Sequence, residues 1–259
     1  MVRVMRYEGA SALVSGGASG LGAATVHRLT EAGIVCTILD RDADRASSLA
    51  ASLGKGTTYA AGDVADPEVV TQAVDKASEA GPLRVTVNCA GIGWAMRTVG
   101  RDGAPHDLDA FKNVLSVNLI GTFNVIRLAA SAMSKVDPLD NGERGVIVNT
   151  ASVAAFEGQV GQVAYSASKG GIVGMTMPVA RDLSVVGIRV LAIAPGLMDT
   201  PMLALLPEDQ RKAMASGIPF PRRLGSPEDF ADLVIYLCES KYLNGEVIRL
   251  DGALRLQPK

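Results

Sequence analysis

Residues 152–169 contain three side chains whose types and spacing could move a proton. Tyr165 precedes Lys169 by four positions, so on a helix the two side chains would share one face. Ser152 lies shortly after the apolar run 146–148, which is typical of a buried strand. A hydroxyl, a phenol and an ammonium would then meet at the carboxyl edge of a sheet, where open α/β folds bind their ligands.

The acidities of these groups indicate acid–base chemistry at an alcohol oxygen. A free tyrosine has a pKa of about 10 and is a poor base at neutral pH. An ammonium about 4 Å away favours the phenolate by roughly 4 kcal/mol at an effective dielectric of about 20, which lowers the pKa by up to about three units. Lys169 would thereby make Tyr165 a general acid/base, while Ser152 hydrogen-bonds the substrate oxygen. Because this Tyr/Lys spacing also arises by chance on solvated helices, a second signal is needed.

A glycine-rich turn near the N-terminus provides that second signal. Gly16, Gly20 and Gly22 lie between a short apolar strand and a helical pattern, where glycines let the backbone approach a pyrophosphate at a helix N-terminus. Asp40 ends the next strand, where a carboxylate accepts hydrogen bonds from an adenosine ribose and repels a 2′-phosphate. The sequence therefore favours NAD over NADP, although the neighbouring Arg41 could accommodate the phosphate.

The composition argues against several classes of partner. The 259 residues, 48% of them hydrophobic, are enough for one large α/β domain. The formal net charge of −2 gives no reason to expect binding to nucleic acid or an anionic membrane. Cys36, Cys89 and Cys238 are too scattered for a disulfide framework or a metal site, which predicts reduced thiols in a cytoplasmic compartment. We also expect no secretory signal, and no run near the roughly 18 apolar residues of a membrane helix.

Strands that alternate with helices predict one α/β domain over residues 1–259. The expected fold is a Rossmann-type, doubly wound parallel sheet of about seven strands with helices on both faces. A long helix is expected over 108–133, through Asn118, and a surface excursion over 94–106. Prolines break the segment 197–217 into short helices, which we expect to form a lid over a substrate pocket. The predicted strands are 11–15, 34–39, 57–61, 85–88, 146–149, 188–194 and 247–250.

Taken together, these motifs resemble the short-chain dehydrogenase/reductase family over essentially the whole chain. The matching elements are residues 15–22, Asp63, residues 88–91, Asn118, Ser152, Tyr165 with Lys169, and Pro195 with Gly196. Within the family, the chain is most similar to the NAD-dependent short-chain 3-hydroxyacyl-CoA dehydrogenases that also act on 17β-hydroxysteroids. That similarity covers residues 94–106, 121–128, 149–162, 165–176 and 243–253.

The resemblance implies a role for each matching residue. Tyr165 would be the general acid/base, Lys169 would lower its pKa and bind the nicotinamide ribose, and Ser152 would orient the substrate. Asn118 would locally open its helix and hold a water that relays protons from Lys169. Ser152, Gln162 and Tyr165 would contact substrate. The NAD site would be lined by Gly16, Ser19, Gly20, Leu21, Gly22, Asp40, Asp63, Val64, Cys89, Ala90, Gly91, Tyr165, Lys169, Pro195, Met198 and Thr200.

The expected reaction is reversible, NAD-linked oxidation of a secondary alcohol, with (S)-3-hydroxyacyl-CoA as the preferred substrate class and the lid over its acyl chain. An NADPH-linked 3-oxoacyl-carrier-protein reductase, a hydroxysteroid dehydrogenase and a catalytically silent NAD-binding sensor or scaffold are the alternatives. Small residues on the predicted helix after Tyr165 would let a second helix pack closely, and the resemblance suggests a homotetramer. Those small residues are Ala164, Ala167, Gly170, Gly171 and Gly174.

Overall fold

The computed structural model describes residues 6–204 and 207–258 and contains one seven-stranded sheet in the order β3-β2-β1-β4-β5-β6-β7. Every neighbouring pair of strands is parallel, as predicted. Each predicted strand is present, with ends that differ from the prediction by at most two residues. The strands are β1 Ser11–Ser15, β2 Val35–Asp40, β3 Thr58–Ala61, β4 Leu83–Asn88, β5 Gly145–Thr150, β6 Ile188–Pro195 and β7 Val247–Leu250.

Helices cover both faces of the sheet. They are α1 Gly20–Glu31, α2 Ala43–Leu53, α3 Pro67–Glu79, α4 Leu108–Leu115, α5 Thr122–Met133, α6 Val163–Ser184, α7 Pro201–Ala204, α8 Glu208–Ser216 and α9 Pro227–Glu239. Pro67 begins α3 as predicted, and the Asp66 carboxylate caps that helix by accepting from the amides of Glu68 and Val69 at 2.8 and 3.4 Å.

Alternate side chains of the strands point into two separate cores. Val14 of β1 packs in the cluster that contains α1, α2 and α9, whereas its neighbour Leu13 packs in the cluster that contains α3, α5 and α6. The strands are apolar on both sides because both faces are covered by helices. The carboxyl ends of β1 to β6 therefore lie along one edge of the sheet, and the site residues lie at or beyond these ends.

The predicted helix over 108–133 is not a uniform α-helix. A π-helical segment, Ser116–Gly121, separates α4 from α5 and contains Asn118. By length and composition the run Leu108–Met133 contains an 18-residue window, with a mean hydropathy of 1.4, that is apolar enough to cross a membrane, which corrects the expectation that no run approaches that length. Half of its apolar window is buried inside the molecule, as is usual for a core helix, and Val125 and Met133 belong to the core.

The lid segment contains α7 and α8, in agreement with the expectation of short helices. Pro201 begins α7, and Pro207 immediately precedes α8. Residues 205 and 206 of the expected lid lie outside the described residues.

Candidate active site

The glycine turn after β1 is shaped for close approach of backbone atoms. A Cβ atom at Gly16 would lie 2.6 Å from the backbone nitrogen of Ala90, and one at Gly22 would lie 2.1 Å from the carbonyl oxygen of Gly16. Gly16 and Gly20 have φ values of +65° and +51°, which side chains rarely allow. Helix α1 follows with no acidic residue in its first turn and no side-chain hydrogen bond from Ser19, its N-cap. Its N-terminus can therefore receive an anionic group.

Asp40 is held rigidly at the carboxyl end of β2. One oxygen of its carboxylate accepts from the backbone N–H of Ala18 and the other from that of Asp42, both at 3.0 Å. The first of these bonds ties the carboxylate to the glycine turn. Arg41 is exposed beside it, and Arg45 forms an ion pair with Asp42 at 3.2 Å.

Asp63 and Val64 form the next part of the same edge, after β3. The Asp63 carboxylate accepts from the Ala65 amide at 2.8 Å, which shapes the turn before α3. The carbonyl of Val64 accepts from the Asn124 side chain at 2.9 Å, and its buried side chain packs against Gly121 of the π-helical segment.

Ser152, Tyr165 and Lys169 converge at the carboxyl end of β5. Because α6 begins at Val163, Tyr165 and Lys169 lie one turn apart on it, and the ammonium nitrogen of Lys169 is 5.7 Å from the centroid of the Tyr165 ring. Lys169 is 4% exposed and donates to the carbonyl of Thr150 at 2.7 Å. The Ser152 hydroxyl accepts from the Ala154 amide at 3.1 Å. These are the positions that the spacing predicted for the three side chains.

One cleft of about 470 Å³ joins this group to the glycine turn. Its walls include Ser152 and every residue predicted for the cofactor site: Gly16, Ser19, Gly20, Leu21, Gly22, Asp40, Asp63, Val64, Cys89, Ala90, Gly91, Tyr165, Lys169, Pro195, Met198 and Thr200. A dinucleotide placed with its diphosphate at the glycine turn would therefore have room to reach the phenol and the ammonium.

Comparison with known proteins identifies the family to which a site of this geometry belongs. Residues 10–211 match the family model described as short chain dehydrogenase. A Bos taurus protein named 3-hydroxyacyl-CoA dehydrogenase type-2 is 54% identical and is covered over 97% of each chain. A solved structure titled 3-hydroxyacyl-CoA dehydrogenase type-2 from Mycobacterium avium is 46% identical, with a TM-score of 0.96 over 100% of each chain. A 3-oxoacyl-[acyl-carrier-protein] reductase of Thermotoga maritima is 37% identical, over 96% of this chain and 99% of its own.

The chain belongs to the short-chain dehydrogenase family. This membership makes it an oxidoreductase and implies a nicotinamide cofactor. The residues present fit such a group. The glycine turn lines an open cleft beside an uncapped helix N-terminus that can receive a diphosphate, and the fixed carboxylate of Asp40 can accept from ribose hydroxyls.

Burial, rather than the Tyr/Lys pair, dominates the acidities in this short-chain dehydrogenase. Desolvation raises the pKa of Tyr165, and a hydrogen bond with Ser152 only partly opposes the rise. Desolvation also lowers the pKa of Lys169 to about 8. The expected lowering of the Tyr165 pKa is not found for the protein alone, because burial raises that pKa. Tyr165 is a protonated acid here, suited to donating a proton to a carbonyl oxygen.

Asn118 lies behind the cleft rather than in its wall. Its fully buried amide forms two hydrogen bonds with the backbone of Ile92. It accepts from the Ile92 N–H at 2.8 Å and donates to the Ile92 carbonyl at 3.0 Å. It also donates to Ser168 at 3.1 Å. The π-helical segment is a local opening of the helix of the kind that was expected at Asn118, while the water relay stays a prediction.

Gln162 and Cys89 complete the account of the predicted residues. Gln162 lies in a neighbouring groove of about 570 Å³ between residues 96–99 and 158–163, where it hydrogen-bonds Gln159, and not in the wall of the cleft. The direct substrate contact expected of Gln162 stays a prediction. Burial raises the pKa of the Cys89 thiol to about 11, which agrees with the interpretation of Cys89 as a packed residue without a redox role.

Several wall residues were missed because they contribute through the backbone or through apolar contact. Thr150 positions Lys169 with its carbonyl, which no residue type signals. For most of the other missed wall residues, the only sequence signal was a position next to a predicted motif. The missed residues are Leu39, Gly62, Ile92, Val117, Thr150 and Ala151, together with the charged pair Asp42 and Arg45.

Proposed function

We propose that this enzyme interconverts (S)-3-hydroxyacyl-CoA and 3-oxoacyl-CoA with NAD as the cofactor. The observation that carries the proposal is the convergence of Ser152, Tyr165 and Lys169 on the cleft that also contains the glycine turn. Further support comes from the name 3-hydroxyacyl-CoA dehydrogenase type-2, which a relative with 54% identity and a solved structure with 46% identity share.

The side chains have separate tasks in this reaction. The Ser152 hydroxyl holds the substrate oxygen next to the phenol of Tyr165, which donates a proton to it in reduction and takes one from it in oxidation. Lys169, held by Thr150, places a positive charge beside the phenol as its proton leaves. The nicotinamide cofactor, when bound, supplies or accepts the hydride.

The choice of NAD rests on Asp40. Two backbone amides fix this carboxylate in the cleft wall, so it cannot rotate away from a ribose. A 2′-phosphate would bring a second negative charge to the same place, which is unfavourable. Arg41 also lines the cleft beside Asp40, so the comparison of NADH with NADPH decides which of the two side chains sets the preference.

Steady-state assays with acetoacetyl-CoA test the proposal, with NADH and NADPH compared at equal concentrations. We expect NADH to be preferred by at least about tenfold in kcat/KM, equivalent to roughly 1.4 kcal/mol. Tyr165→Phe should bind NADH normally and lose turnover by a factor of about 10² or more, because only the proton donor is removed. Preference for NADPH and an acyl-carrier-protein substrate would instead favour the reductase alternative. Turnover of hydroxysteroids alone would remove the acyl-CoA claim.

We also propose that the enzyme is a homotetramer in a reducing, cytoplasmic compartment. Support for self-association comes from α6, where a Cβ at Gly170 or Gly174 would meet no atom within 4 Å, so this side of the helix is open. Gly171 faces inward against Leu119, next to the exposed Ile120. The three cysteines are free thiols, which suits a reducing compartment.

A further inference from the structure

A charged cluster ties the C-terminal segment to the loop that joins Ser152 to Tyr165. The Glu157 carboxylate accepts from the guanidinium of Arg249 at 2.9 and 3.2 Å, and from the Leu256 amide at 3.0 Å. Arg255 adds an ion pair to Glu157 at 3.3 Å. Hydrogen bonding to Arg249 is the main reason that the pKa of Glu157 is lowered, so its carboxylate is ionised at neutral pH.

Backbone contacts extend this connection along the loop. The Val160 amide donates to the carbonyl of Pro258 at 3.1 Å, and the Gln159 side chain donates to the carbonyl of Gln257 at 3.0 Å. Residues 256–258 therefore run beside residues 156–160. That loop also forms one side of the groove that contains Gln162.

Arg249 is the centre of the cluster. In addition to Glu157, it donates to the Asp251 carboxylate at 2.7 Å and to the Leu254 carbonyl at 3.1 Å. Its guanidinium also lies 5.4 Å from the centroid of the Phe156 ring. A lysine could not make these contacts together, because they use the planar fork of the guanidinium.

The turn at Asp251 and Gly252 connects the same cluster to residues 218–220, which directly follow the lid segment, and to the cofactor cleft. The Gly252 carbonyl accepts from the Phe220 amide at 3.3 Å, and a Cβ at Gly252 would lie 2.7 Å from a methyl carbon of Ile218. On its other side, Asp251 packs on Gly196, where a Cβ would lie 2.9 Å from the Asp251 Cα. Three segments around the reaction site therefore rest on one turn.

We propose that Arg249 and Glu157 form a clasp that positions loop 156–160 and residues 218–220 after the lid segment, and that this clasp determines how tightly the enzyme binds its acyl substrate. The inference rests on the proposed function. The clasp contacts none of the reacting groups, so Arg249 and Glu157 are positioning residues. Their effect reaches the substrate through the loop that leads from Ser152 to Tyr165.

Three variants test the clasp. Glu157→Gln keeps the shape of the side chain but removes its charge, Arg249→Met removes the fork, and Arg28→Met is the matched control. Arg28 also pairs with two carboxylates, those of Glu31 and Asp232, but on the exposed surface of α1 and α9. We expect both clasp variants to raise KM for a medium-chain 3-oxoacyl-CoA by about tenfold while kcat and the Kd of NADH change by less than about threefold. Arg28→Met should change none of them.

The clasp is refuted if Glu157→Gln has the same KM as Arg28→Met. It is also refuted if kcat and NADH affinity fall while KM rises, which would indicate general destabilisation. Hydrogen exchange gives a readout that needs no turnover, because the Val160 and Leu256 amides should exchange at least about tenfold faster in Arg249→Met than in wild type. If wild type reduces no 3-oxoacyl-CoA, the proposed function fails by itself. The KM comparison is then made with the alcohol or ketone that the enzyme does use.

Discussion

The environment of Lys169 is buried and disfavours the positive charge of its ammonium. Only 4% of the residue is exposed, and burial lowers its pKa from 10.5 to about 8. Since an unfolded chain would hold the proton more tightly, folding stability rises with pH between about 8 and 10.5, and below about pH 8 the folded state bears the whole penalty. A pKa shift of this size lowers the free energy of unfolding below pH 8 by about 3 kcal/mol. Spacing alone placed Lys169 beside Tyr165 but could not report desolvation, which is why the direction of the tyrosine pKa was mispredicted.

Lys169→Met should therefore make the protein more stable and inactive. Removal of the buried charge gains up to about 3 kcal/mol, and the Thr150 carbonyl left without its donor loses about 1 kcal/mol, for a net gain of roughly 2 kcal/mol at pH 7. Calorimetry of both proteins from pH 7 to 10.5 provides the measurement. The advantage of the variant should shrink as the pH rises through this range. A lower Tm for Lys169→Met at pH 7 would contradict the argument.

Among the elements, the π-helical segment is the one whose form was least accessible from sequence. Apolar periodicity predicts a continuous helix over Leu108–Met133, and the α-helical parts follow that pattern. The departure at Ser116–Gly121 depends on side-chain partners that are distant in sequence. Asn118 bonds Ile92, 26 positions away, and donates to Ser168, 50 positions away, at 3.1 Å. Family resemblance indicated an opening here, but no local rule gives its length.

Asn118→Ala tests whether this element serves catalysis as well as folding. The change leaves the N–H and carbonyl of the half-buried Ile92 with no amide partner, so we expect a loss of about 1–3 kcal/mol in the free energy of unfolding. If Asn118 also relays protons, kcat should fall by at least about tenfold with little change in the Kd of NADH. Asn124→Ala is the control, because its buried amide holds Val64 instead. That variant should lose stability and weaken NADH binding while kcat is kept. Equal kcat in the two variants would refute the relay.

For the whole molecule, local patterns were sufficient to predict the order of the elements. Each strand is a short apolar run between turn signals, and helices separate successive strands, so the alternation leaves few topologies other than a parallel doubly wound sheet. Because the strands end at a common edge, the predicted cofactor residues lie together in one cleft. Contacts between remote side chains were not accessible in this way. Glu157 and Arg249 are 92 positions apart, and nothing in the spacing of either residue indicates the other.

Assembly is a property of the whole molecule that one substitution can test. Gly174 lies on the open side of α6, and leucine there has room within its own chain and a higher helix propensity, by about 1 kcal/mol. Gly174→Leu should therefore fold at least as stably as wild type in isolation, yet block a second helix from approaching. By sedimentation we expect wild type near four times 26.9 kDa and the variant at a lower mass. Ser184→Leu adds similar bulk to the exposed last residue of α6 and should leave the mass unchanged. A wild-type mass of one chain would refute the tetramer, and an unchanged mass for Gly174→Leu would show that this side of α6 is not the interface.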